Sequence, residues 1–148
     1  MADDAEPVRR SRIIPGSPEL QYYPAHNLVA WRPKGILDDD LLDEIGEWLA
    51  AVESDSSHFK RFVDFTLLTR VEVRSRHVFA FAQRRAVQVA DLAPVNSALF
   101  SDEWIAFGIA GLYEELMADT PINVRAFQDR AQAAAWLGVP VDILQLPS

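Results

Sequence analysis

The sequence predicts a single α/β domain: a mixed, mostly parallel sheet of four to five strands, an antiparallel hairpin at its start, and four helices. Three observations carry this expectation. Segments that alternate apolar and polar residues are interleaved with segments that repeat at helical spacing, the order that builds parallel crossovers. Two short apolar runs flank Pro24-Ala25-His26-Asn27, where Pro and Asn punctuate the chain and reverse it. The chain has 148 residues, 49% hydrophobic and 24% charged, which suits one core that needs no staples.

Residues 1–17 read as a flexible lead, 18–140 as the domain and 141–148 as a C-terminal tail. In the lead, Arg9, Arg10 and Arg12 are followed only by Ile13 and Ile14 before Pro15, too short an apolar stretch for a signal peptide. Those arginines suit contact with an acidic partner or lipid, or plain solvation. Glu19 to Tyr23 and Leu28 to Arg32 form the hairpin; Pro33 lacks a ladder donor and Gly35 allows the bend that follows. Asp38, Asp39 and Asp40 open the first helix, where carboxylates cap free N–H groups. Leu41, Leu42, Ile45, Trp48, Leu49 and Val52 make its apolar stripe, and Asp43, Glu44, Glu47 and Glu53 are expected to face water. Gly46 inside that helix either permits close packing or is merely tolerated, at about 1 kcal/mol against Ala.

Phe59 to Phe65 reads as a strand with Asp64 near its end. Val71 and Val73 alternate with Glu72 and Arg74 and suit extended chain. From Ser75, a candidate cap, the spacing of Val78, Phe79, Ala82, Ala86 and Val89 predicts a helix over 76–88; a strand through Val78 to Phe81 is the rival. Ala93 to Phe100 is the next strand. Ser101 or Asp102 is expected to cap a helix reaching about Ala118. Its stripe is Ile105, Ile109, Leu112 and Leu116, while Trp104, Phe107, Ala110, Tyr113 and Met117 fall outside, so it should have two burial partners. Ile122 to Phe127 alternates as a strand. Asp129 caps a last helix with Ala133, Ala134 and Leu137 inward, and Gly138 and Pro140 stop it. The apolar stretch after Val139 is expected to dock.

Composition removes several function classes. Fourteen basic against 22 acidic residues give a net charge of −8, and the sequence pI is about 4.8. Phosphate-backbone binding needs clustered cations, so no nucleic acid is expected. There is no cysteine, which removes disulfides, thiolate catalysis and cysteine metal sites and fits a reducing, cytoplasmic setting. No apolar run approaches the roughly 18 residues of a membrane helix, so no stable membrane insertion is expected. No dinucleotide fingerprint, P-loop or nucleophile elbow is present. His26, His58 and His77 lie in separate segments without metal-ligand spacing. With no catalytic constellation, neither an enzymatic activity nor a cofactor is expected.

Two places could carry function. Asp64 closes a strand, where open α/β sheets gather ligands, and the hydroxyls of Thr66 and Thr69 follow closely. This turn either binds a ligand or accepts phosphate, or Asp64 and Thr66 satisfy backbone groups there. Arg125 on the late strand is placed to pair with an acid. The helix carrying Phe107, Gly108, Gly111, Tyr113 and Met117 mixes small and aromatic residues. That mixture suits a homodimer seam, the wall of an apolar ligand pocket, or a helix buried on both sides.

These segments together resemble the STAS fold of anti-sigma-factor antagonists and, more closely, the SpoIIAA-like (STAS/Sec14-like) family of small bacterial proteins. The resemblance rests on Leu28 to Leu37 with the acid-capped helix, Phe62-Val63-Asp64, Ala106 to Ala110 with Tyr113-Glu114, Val124 to Phe127, and Ala133 to Gly138. It covers residues 19–139. It implies a sheet covered mainly on one side by helices. It also implies a non-enzymatic regulatory or interaction module working through a protein partner or self-association, or else a carrier of a small apolar ligand or lipid. True antagonists follow the strand-end Asp with a phosphorylatable serine. Here the stretch is Asp64-Phe65-Thr66-Leu67-Leu68-Thr69, without the serine pair or the glycine. No phospho-switch is expected at this turn.

Overall fold

Strands that carry apolar residues on both faces demand cover on both sides. Leu28–Trp31 is buried along its whole length, and Lys60–Asp64 and Val95–Phe100 nearly so. In the computed structural model, which describes residues 8–9, 21–55 and 58–145, these three are the middle of the sheet. The elements run β1 (Val8–Arg9), β2 (Gln21–Tyr23), β3 (Leu28–Trp31), β4 (Gly35–Leu37), α1 (Asp39–Asp55), β5 (Lys60–Asp64), β6 (Leu68–Val71), α2 (Ser75–Gln88), β7 (Val95–Phe100), α3 (Trp104–Leu116), β8 (Ile122–Phe127) and α4 (Arg130–Leu137). Short 3-10 turns lie at Pro24–His26, Phe65–Leu67 and Val141–Leu144.

The main sheet has the order β1-β2-β3-β5-β7-β8. The first three strands pair antiparallel, and β3, β5, β7 and β8 pair parallel. The expected mixed, mostly parallel sheet, opening hairpin and four helices are all present. The strand count becomes six through Val8 and Arg9, which pair with Tyr22 and Gln21. The rest of the expected N-terminal lead lies outside the described residues. Asn27, at φ 51, closes the hairpin turn in the left-handed region that asparagine tolerates. A second, two-stranded parallel sheet joins β4 to β6, which the sequence did not announce.

Helices α1, α2 and α3 cover one face. Their core includes Val29, Trp31, Ile45, Trp48, Val63, Phe81, Leu99 and Tyr113, with the Trp31 and Trp48 rings 5.0 Å apart. The other face carries α4 and the closing turn, packed on Leu28, Phe62, Ala98, Phe100 and Phe127. Full burial of each such large side chain stabilises by roughly 1.5–3 kcal/mol. The cover is thus heavier on one side, as expected. The apolar tail does dock: Ile143 and Leu144 are buried in this second core.

Several local expectations need correction. The helix over 75–88 displaces the rival strand at 78–81, because Val78, Phe81, Ala82 and Arg85 are its buried stripe. Ser75 does not cap it; the N-cap is Arg74, whose backbone N–H is held by Asp39 Oδ1 at 3.1 Å. Neither Ser101 nor Asp102 caps α3. Glu103 reaches forward to the N–H groups of Ile105 and Ala106, both at 2.9 Å, and these bonds hold its carboxyl below the ordinary glutamate range. The inward stripe of α3 is Ala106, Ala110 and Tyr113, not the larger Ile105 series, so small residues bring the helix close to the sheet. Asp38 and Asp129 cap as expected, on Leu41 and Gln132. On the outer strand β8, the N–H of Ala126 donates to the Glu114 carboxylate of α3 at 2.8 Å.

Gly46 permits close packing. A Cβ built there would stand 2.6 Å from Cε1 of the Phe81 ring. Gly46→Ala is expected to destabilise by about 1–3 kcal/mol in urea denaturation, through overpacking. The loss should shrink in a Phe81→Leu background. An equal loss in both backgrounds would show that the contact is not its cause.

Candidate functional site

At the strand carboxyl end, β5 leaves the sheet at Asp64, which is fully buried. A buried carboxylate needs partners, and here they come from three distant segments. Arg32, just past β3, donates from Nε to Asp64 at 3.2 Å. Arg130, the first residue of α4, donates from Nη1 at 2.6 Å. Thr66 brings its backbone N–H, at 2.9 Å, and its hydroxyl to the other carboxylate oxygen. The Thr66 hydroxyl also accepts from Arg130 Nη2 at 2.9 Å. Arg32 Nη1 donates to the Gln21 side-chain oxygen at 3.2 Å, and main-chain carbonyls accept from Arg32 Nη2 (Leu144 and Gln145) and Arg130 Nη1 (Leu144). Arg130 also stacks over the Phe100 ring, 4.4 Å from its centroid. Asp64 and Thr66 therefore meet, as the sequence suggested; Arg32 and Arg130 are the partners that it did not single out. Thr69, three residues further on, lies exposed on β6 and takes no part in this cluster.

A second polar centre lies within the helix-covered face. Glu53 was expected in water but is buried, because α2 and β5 present it with two arginines. Arg85 grips both carboxylate oxygens, with Nη1 at 2.9 Å, and Arg61 Nη1 lies 3.0 Å away. Burial holds Arg61 below the ordinary arginine value despite the attraction of Glu53. For Arg85 burial also acts downward, but its bonds to Glu53 and the nearby Tyr113 phenol outweigh it, and the net shift is upward. Tyr113 itself is raised by burial, against the lowering influence of Arg85, so its phenol stays neutral. α1, α2, α3 and β5 each contribute one member.

The residues singled out on α3 do not share one surface. Tyr113 and Met117 are core: Tyr113 packs on Phe81, with centroids 5.4 Å apart, and Met117 is buried beside it. Phe107 and Gly111 are half-buried and Gly108 is exposed, and a Cβ at either glycine would meet open space. The exposed large apolar residues of α3 are instead Trp104, at 78%, and Ile105, at 61%. Beside them runs a groove of about 250 Å³ lined by Phe65, Leu68, Val71, Glu103, Ile105 and Ala106, among others. Between the sheet and the three helices a separate apolar cavity of about 40 Å³ touches Ile45, Val63, Leu99, Ile109 and Tyr113.

The other titratable candidates have plain partners. His77 bonds Asp43 at 2.8 Å, and Arg125 lies over the Phe127 ring rather than against an acid. Among the described residues, no three potential metal ligands gather, and no helix is long and apolar enough to cross a membrane.

No protein-family model and no curated protein matches the chain. Among solved structures it is similar to an uncharacterized protein from the DUF3478 family with a SpoIIAA-like fold, from Shewanella loihica PV-4. The two are 15% identical, with a TM-score of 0.47 over 89% of this chain and 90% of that one.

Removing the charge of Glu53 leaves two buried guanidiniums without a counter-charge. Glu53→Gln should cost about 3–5 kcal/mol in urea denaturation, against about 0.5 kcal/mol or less for exposed Glu47→Gln. Equal small losses would refute the pairing. Thr66 is engaged by Asp64 and Arg130, so incubation of the folded chain with extract of its host and ATP should leave it unmodified. Stoichiometric phosphate on Thr66 or Thr69 by mass spectrometry would restore a phospho-switch.

Proposed function

We propose that the chain is a non-enzymatic, STAS-like regulatory or interaction module that meets a protein partner, or a second copy of itself, through the start of α3. The observation that carries this reading is the exposure of Trp104 and Ile105 side by side on a helix whose cap, Glu103, is firmly bonded. Large apolar side chains left in water on a rigid element are the usual anchors of an interface, and Trp leads among them. The adjoining groove offers Leu68 and Val71 as apolar floor and Arg70 and Glu103 as a polar rim. Gly108 and Gly111 keep the next turns of the helix free of bulk, so that a partner backbone can approach.

The carrier reading has less support. Ligand pockets commonly run to about 300–1,000 Å³, and the enclosed apolar cavity holds about 40 Å³. Filling it with an acyl chain would require α2 or α3 to move.

The double variant Trp104→Ala, Ile105→Ser decides between these readings. It is expected to keep the melting temperature of the parent while losing self-association in sedimentation velocity, or losing the partner cross-linked by the parent in host extract. Unchanged behaviour in both assays would overturn the interaction reading. A co-purified apolar ligand, seen by native mass spectrometry in parent and variant alike, would put the carrier in its place.

A further inference from the structure

The segment after α4 is fixed to the body of the domain by side chains rather than by a backbone ladder. Its turn bonds internally, from Ile143 N to Pro140 O and from Gln145 N to Asp142 O. What ties it down is Arg32 on the carbonyls of Leu144 (3.0 Å) and Gln145 (3.1 Å), Arg130 on Leu144 (2.8 Å), and the burial of Ile143 and Leu144. Gly138, at φ 73, and Pro140 join it to α4. Beneath it, two guanidiniums face the single carboxylate of Asp64, so among the described residues the seat carries one positive charge in excess.

We propose that this segment is an exchangeable internal ligand, and that its seat accepts a peptide ending in an apolar residue with a free C-terminal carboxylate. Two successive carbonyl oxygens resting on two guanidiniums occupy the place of a carboxylate's paired oxygens. A true carboxylate there adds a negative charge, so that hydrogen bonds the guanidiniums already make to neutral oxygens become ion pairs as well. The buried site of Leu144, among the apolar residues of the α4 face, receives the terminal side chain. The seat lies outside the carboxyl ends of β3 and β5, where open α/β sheets take ligands. This inference does not depend on the α3 surface.

The chain contains no cysteine, so Leu144→Cys places one thiol on the buried side of the segment and Ala98→Cys places one in the sheet core as a control. In the full-length folded protein, labelling at 144 is expected to be at least about 100-fold faster than at 98, because the segment opens without global unfolding. The probe is the free-acid peptide Pro-Val-Asp-Ile-Leu, which copies Pro140–Leu144. It should accelerate that labelling and bind the Leu144→Asp variant, in which the segment is released. Its C-terminal amide should bind about tenfold more weakly or worse. Equal labelling at 144 and 98 would show that the segment is ordinary core and overturn the proposal. Faster labelling with equal response to acid and amide would overturn the carboxylate seat. If Leu144→Asp fails to fold, the labelling series decides alone.

Discussion

A single carboxylate, Glu53, answers two guanidiniums in the core, and the packing of the helix layer depends on it. Without Glu53, Arg61 of β5 and Arg85 of α2 would face each other in an apolar space where neither charge is stable. With it, α1 is drawn onto the sheet at its last turns, α2 is drawn onto α1, and the Tyr113 phenol ties in α3. At the middle of α1 the Gly46 contact with Phe81 brings the same two helices together by shape rather than charge. Electrostatics in the last turn and close packing at mid-helix therefore set one arrangement along the same helix.

The two faces of the sheet divide the work. On the three-helix face the buried polar centre is sealed beneath α1, α2 and α3 and serves architecture. On the α4 face the polar centre sits at a strand end, and its partners include main-chain oxygens of a short turn. A turn held by two arginine side chains has a lower local stability than a strand held by its ladder. Any functional movement near Asp64 should therefore begin there and not in β5.

Much of the frame was legible because local signals agreed. Pro24 and Asn27 marked the hairpin, Asp38 and Asp129 marked helix starts, and Gly138 marked an end in the left-handed region. The β4–β6 pair was not legible: strands of three and four residues carry almost no periodicity, and their pairing joins segments about thirty residues apart. Glu53 was misread because helical spacing reports which face a residue occupies, not what waits opposite it. A signal existed all the same. Arg32 follows Leu28-Val29-Ala30-Trp31, and Arg61 precedes Phe62-Val63, so each is a charged residue at the edge of an otherwise apolar strand. Such residues must find acids, and Asp64 and Glu53 were the acids nearest the core. On α3 helical spacing left surface and core open for Tyr113 and Met117, and it is Ala106 and Ala110 that let the aromatic ring sink between helix and sheet.

The bond from Ala126 to Glu114 bears on how the protein survives at high concentration. β8 is the last strand of the sheet, and an outer strand with free N–H groups is a template on which another chain can add. The Glu114 carboxylate occupies one of those groups, and Asn123 and Arg125 stand exposed along the same strand. An arriving strand would have to expel a bonded anion and bring its own Arg125 near this one. The domain thus guards this edge against strand addition, using a side chain lent by the neighbouring helix.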